Sequence, residues 1–91
     1  MSVPITTTGT TADPVTTNHR QGESVSSWVS RHNDSVATAT PGGNKLTTEW
    51  KSDAGNKVVT TTRTAGESDT EFLLRHITAY MALMLEFPPV P

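Results

Sequence analysis

The chain has 91 residues, a formal net charge of −2 and no cysteine. That length gives room for one small domain, residues 1–91, and the missing cysteine excludes a disulfide framework, a thiolate metal site and a cysteine nucleophile. Near-neutral charge removes the basic footprint on which non-specific nucleic-acid binding relies.

Taken in chain order, residues 3–8 and 15–20 are rich in Thr and Val and read as strands. Gly9 to Pro14 supplies the turn between them. Ser24 caps a first helix expected over about residues 25–39, and Pro41-Gly42-Gly43-Asn44 ends it as a linker, residues 41–44. Leu46, Thr48 and Trp50 then alternate with Thr47, Glu49 and Lys51, the period-2 pattern of a half-buried strand. Residues 52–56 read as a hairpin loop and residues 58–63 as the returning strand. Ser68-Asp69-Thr70-Glu71 is a capping box that opens a second helix, expected over residues 69–86 and stopped by Pro88-Pro89.

The two halves repeat one another. Val15-Thr16-Thr17 recurs as Val59-Thr60-Thr61, Gly22-Glu23-Ser24 as Gly66-Glu67-Ser68, and Arg31-His32 as Arg75-His76, all 44 residues later. Ile5-Thr6-Thr7 recurs as Leu46-Thr47-Thr48 at an offset of 41, the difference being absorbed in the turn between strands. The expected fold is therefore α+β: a tandem ββα-ββα duplication, with repeats at residues 3–40 and 45–87, forming a four-stranded antiparallel sheet with two helices on one face.

The helices differ in their apolar faces. Val25, Trp28, Val29, His32 and Val36 make one stripe on the first, suited to packing on a sheet. The second has the matching stripe of Phe72, Leu73, His76, Ile77, Tyr80, Met84 and Phe87, and a further stripe of Leu74, Met81 and Leu85. A helix apolar nearly all round requires cover on more than one side. The strands offer only Ile5, Val15, Leu46, Trp50, Val58 and Val59 to the core. The second stripe thus points to a partner, most simply another copy of the chain, with Leu74, Ile77, Met81, Leu85 and Phe87 as interface residues. The competing reading packs Leu74, Met81 and Leu85 against the first helix.

Candidate chemistry is sparse. His32 and His76, with Glu23 or Glu67, are the one conceivable metal set, but they lack a recognised ligand spacing. They are read instead as structural, with each ring packed in the core and donating to a strand carbonyl. Arg31 and Arg75 then pair with carboxylates or carbonyls at the sheet edge, and Glu23 and Glu67 serve a helix dipole or an arginine. Ser24 and Ser68 are explained by capping and lie in no nucleophile elbow. No catalytic, cofactor or metal residue is assigned, and the chain is expected not to be an enzyme.

A sequence-specific nucleic-acid-binding regulator is the alternative, using a polar sheet face of Thr6, Thr16, Thr47, Glu49, Lys51, Thr61 and Arg63. It lacks free aromatic stacking platforms. The first strand, if at a sheet edge, would offer unpaired backbone to another subunit. No apolar run approaches a membrane span, and the N-terminus has no apolar signal region, so a cytoplasmic or virion location is expected. Small size and Thr-rich strands suit a phage or mobile-element protein. The expected role is protein–protein assembly, as a homo-oligomer or a subunit of a larger complex.

Overall fold

A computed structural model describes residues 3–91. Six elements follow in order: β1 (Ile5–Thr8), β2 (Val15–Thr17), α1 (Val25–Ala37), β3 (Lys45–Ser52), β4 (Gly55–Thr62) and α2 (Asp69–Glu86). They form the expected ββα-ββα arrangement, with one four-stranded antiparallel sheet in the order β2-β1-β3-β4. The repeats meet through their first strands. Thr7 lies opposite Thr48 in the β1–β3 ladder, so the pseudo-two-fold axis passes between these two equivalent threonines.

The sequence leaves strand order open, and this order removes the conditional edge role of the first strand. β1 is an inner strand, hydrogen-bonded on both sides, and the edges are β2 and β4. Pairing through β1 and β3 buries Ile5, Thr7, Leu46, Thr48 and Trp50 beneath both helices. An outer position for β1 would have left half of that apolar row uncovered.

Several boundaries also differ. β2 stops at Thr17, where the Trp28 indole N–H donates to the Thr17 carbonyl, and α1 ends at Ala37 with Thr38 as its C-cap. β3 and β4 are joined by a tighter turn than expected. Ser52 already pairs with Gly55, leaving only Asp53 and Ala54 between them. Gly55 has φ 105° and supplies the left-handed residue that closes such a turn. Gly9 is tighter still: at φ 103° its backbone lies so close to β3 that a Cβ would sit 2.1 Å from the Lys45 carbonyl oxygen.

Both helices begin as the sequence indicates. The Ser24 hydroxyl accepts from Ser27 N–H. At α2 the full reciprocal box forms: Glu71 N–H donates to the Ser68 hydroxyl, and Ser68 N–H donates to the Glu71 carboxylate. The core has two parts. Ile5, Trp28, Val29, Trp50, Tyr80 and Met84 form one cluster, and Val36, Leu46, Phe72 and Leu73 the other. Ile77 packs against both. Val58, expected inside, is 55% exposed on the open sheet face, because the inward positions of β4 are Lys57, Val59 and Thr61.

Candidate functional site

Two features stand out: a polar network inside the core and an uncovered apolar row on α2.

The network lies beneath the helices on the pseudo-two-fold axis. His32 and His76 are fully buried, and each ring is held at both nitrogens by threonine hydroxyls. His32 Nδ1 is 2.8 Å from Thr17 Oγ1, and its Nε2 is 2.7 Å from Thr7 Oγ1. His76 Nδ1 is 2.7 Å from Thr61 Oγ1, and its Nε2 is 2.7 Å from Thr48 Oγ1. Thr7 and Thr48 close the gap across the axis at 2.6 Å. One side chain from each of the six elements contributes to this line.

The histidine partners thus correct the expected strand carbonyls. Inward-facing side chains at Thr7, Thr17, Thr48 and Thr61 reach the rings before any backbone oxygen does, since strand carbonyls lie in the sheet plane and are used by the ladder. Thr61 was expected on the open face but points inward, with Thr60 and Thr62 outward. The signal for these threonines was present: Thr17 and Thr61 are equivalent in the repeat, as are Thr7 and Thr48. Burial holds both imidazoles in the neutral form. It lowers His32 to about 4, with help from His76, and lowers His76 to about 4, with help from the Arg75 charge. Tyr80 lies against both rings, at 6.0 Å from His32 and 5.4 Å from His76. Burial raises its phenol, which donates to Asn33 Oδ1.

At the sheet margins each repeat carries the same arginine fork. Arg31 donates to both carboxylate oxygens of Glu23 at 2.7 Å and to the Asn18 carbonyl. Arg75 does the same with Glu67, at 2.8 and 2.9 Å, and the Thr62 carbonyl. The hydrogen bonds from these guanidinium groups draw both glutamates down to about 2. Each fork pins the end of a strand to the start of a helix. Glu23 and Glu67 are therefore turned to arginine, not to the histidines, and among the described residues no three metal-ligating side chains come together. His19, which sequence reasoning passed over, donates from Nε2 to the Glu23 carbonyl and stacks edge-on against Trp28 at 5.0 Å.

On the open sheet face Thr6, Thr16, Thr47, Glu49 and Lys51 lie as expected, joined by Thr60 and Thr62. Arg63 does not join them. Its guanidinium lies 4.9 Å over the Phe72 ring and donates to Asp69. Lys51 is left beside Glu49, with Lys45 at the far end of β3, a weak footprint for a phosphate backbone.

The second feature is an exposed hydrophobic patch on the C-terminal helix. Leu85 is 83% exposed and Leu74 51% exposed. Met81 is half-buried between them, taking a hydrogen bond from Asn33 Nδ2 on its sulfur at 3.4 Å. Beside the patch an apolar groove of about 380 Å³ runs between the helices, lined by Val25, Val29, Met81, Met84, Leu85 and Pro88. The other residues expected at an interface are placed differently. Ile77 is half-buried in the core. Phe87 is half-buried at the C-cap, where Lys57 Nζ sits 4.1 Å above its ring and its carbonyl accepts from the Trp50 indole. Among the described residues, no helix is long and apolar enough to cross a membrane.

Neither known protein families, curated proteins nor solved structures yield a match to the chain.

Proposed function

We propose that this protein is a non-catalytic assembly module that pairs with a second copy of itself through the outer row of α2. One observation carries the reading: the repeat contains its own control. Leu74, Thr78 and Met81 on α2 correspond, 44 residues earlier, to Ser30, Asp34 and Ala37 on α1. Both helices cover the same kind of sheet in the same way, so packing on the sheet does not demand apolar residues at these places. α1 carries Ser30 and the small Ala37 where α2 exposes Leu74 and half-exposes Met81.

The spacing favours a second copy as occupant. Leu74, Thr78, Met81 and Leu85 are separated by 4, 3 and 4 positions, a pattern that reads the same in both directions. Two α2 helices crossing antiparallel about a two-fold axis would set each Leu74 opposite the other Leu85, and each Thr78 opposite Met81, as an isologous interface requires. Support for a non-catalytic role comes from the polar groups themselves. The buried histidines, the paired arginines and their glutamates are all engaged in holding elements together.

The test is the solution mass of the parent chain and of the double variant Leu74→Glu, Leu85→Glu. Both leucines are exposed, so the variant keeps its fold, checked by circular dichroism. The reading predicts a parent mass twice 9.8 kDa and a monomeric variant. A folded variant that keeps the parent's mass overturns it.

A further inference from the structure

The buried line Thr17–His32–Thr7–Thr48–His76–Thr61 has five hydrogen bonds, all between 2.6 and 2.8 Å. Each bond holds one proton. Both rings are neutral at pH 7, their burial lowering each to about 4, so each carries one N–H and one bare nitrogen. Thr7 and Thr48 each bond only to a histidine Nε2 and to one another. Those constraints leave few arrangements.

If both rings carried their proton on Nδ1, both bare Nε2 atoms would need a hydroxyl proton. Thr7 and Thr48 would each give theirs to a ring, and their oxygens would then face each other at 2.6 Å with no proton between them. If both rings carried it on Nε2, Thr7 and Thr48 would each accept from a ring. One of their hydroxyl protons would fill the bond between them, and the other would be left without an acceptor, a costly outcome for two fully buried side chains. Only a mixed arrangement fills every bond. When His32 donates from Nε2, Thr7 donates to Thr48, Thr48 donates to bare Nε2 of His76, and His76 donates from Nδ1 to Thr61. Thr17 then donates to His32 Nδ1. Reversing every bond gives the mirror state.

We infer that this network is proton-ordered in one direction, so that two histidines in equivalent positions of the repeat hold opposite neutral tautomers, and the tautomer of one repeat dictates that of the other across the β1–β3 seam. The pseudo-symmetry of this network is thereby broken by hydrogen positions alone.

Long-range proton–nitrogen NMR on uniformly ¹⁵N-labelled protein at pH 7 reads the tautomer of each ring. The Nε2–H fractions of His32 and His76 are expected to sum to one, whether one order dominates or the two exchange rapidly. A sum near zero or near two overturns the inference. Thr17→Val and Thr61→Val provide the second test. Each removes a terminal hydroxyl, and an unpaired bare nitrogen is tolerated better than an unpaired buried N–H. Thr17→Val therefore sets His32 to Nε2–H and drives His76, in the other repeat, to Nδ1–H. Thr61→Val gives the opposite assignment at both rings. The same pair of tautomers in both variants overturns the inference.

Discussion

Lowering the pH to 5 should destabilise this protein well before the fork glutamates, Glu23 and Glu67, begin to protonate. His32 and His76 sit near 4 in the folded chain because burial opposes their charged form, whereas an unfolded histidine titrates near 6.5. A group whose folded pKa is depressed binds its proton first in the unfolded state, so acid favours unfolding. Stability is complete above about pH 6.5, falls from there, and the histidine contribution is spent by about pH 4. Each ring should cost about 2 kcal/mol at pH 5 and about 3 kcal/mol at pH 4. Together they approach the whole stability expected of a small domain, about 5 kcal/mol at the lower end. The groups facing the rings do not offset this: Tyr80 is neutral, the four threonines are uncharged, and Arg75 adds repulsion at His76. The glutamates of the two arginine forks titrate near 2 when folded, so their loss begins only below about pH 4.5. Urea unfolding at pH 7, 6 and 5 isolates the histidine window. A fall of about 4 kcal/mol between pH 7 and pH 5 is expected; a stability unchanged over that range refutes the neutral, buried state of these rings.

Other expected outcomes follow from single contacts. Gly9→Ala forces a Cβ to 2.1 Å from the Lys45 carbonyl oxygen at φ 103° and should cost at least about 3 kcal/mol by denaturant unfolding, whereas Gly43→Ala meets nothing within 4 Å and should be neutral or stabilising by about 0.5 kcal/mol. Ser68→Ala removes a cap and should cost about 1 kcal/mol, and the Glu71 carboxyl, held low by its bonds with Ser68, should titrate higher in the variant by NMR. Trp50→Phe leaves the Phe87 carbonyl without its indole donor and should cost about 1–2 kcal/mol, with faster amide exchange at Val90, whose N–H donates to the Lys51 carbonyl.

The repeat made most of the architecture legible. Once Gly-Glu-Ser and Arg-His were aligned, the element order followed, and the start and end of α2 were set by its capping box and by Pro88. The capping serines and the arginine–glutamate pairs were legible for the same reason: spacing and charge alone define them. Strand order was not legible. The pattern of Ile5 and Thr7 is the same whether β1 is inner or outer, and only the packed sheet decides. The histidine partners were hidden behind threonine's double character. A Thr in a strand reads as a solvent-facing residue, and it is the parity of the strand, fixed by Leu46, Thr48 and Trp50, that turns Thr48 inward. Val58 was misplaced by the same parity, since the tight turn at Gly55 sets the inward positions of β4 at Lys57, Val59 and Thr61.

The excess apolar residues seen along α2 in the sequence remain uncovered at Leu74 and Leu85. The decisive measurement is light scattering coupled to size-exclusion chromatography on the unmodified chain, across a dilution series and at two salt concentrations. Self-association through apolar side chains predicts a mass twice 9.8 kDa that falls on dilution but not with added salt. A mass of 9.8 kDa at every concentration and both salts would contradict the assembly role.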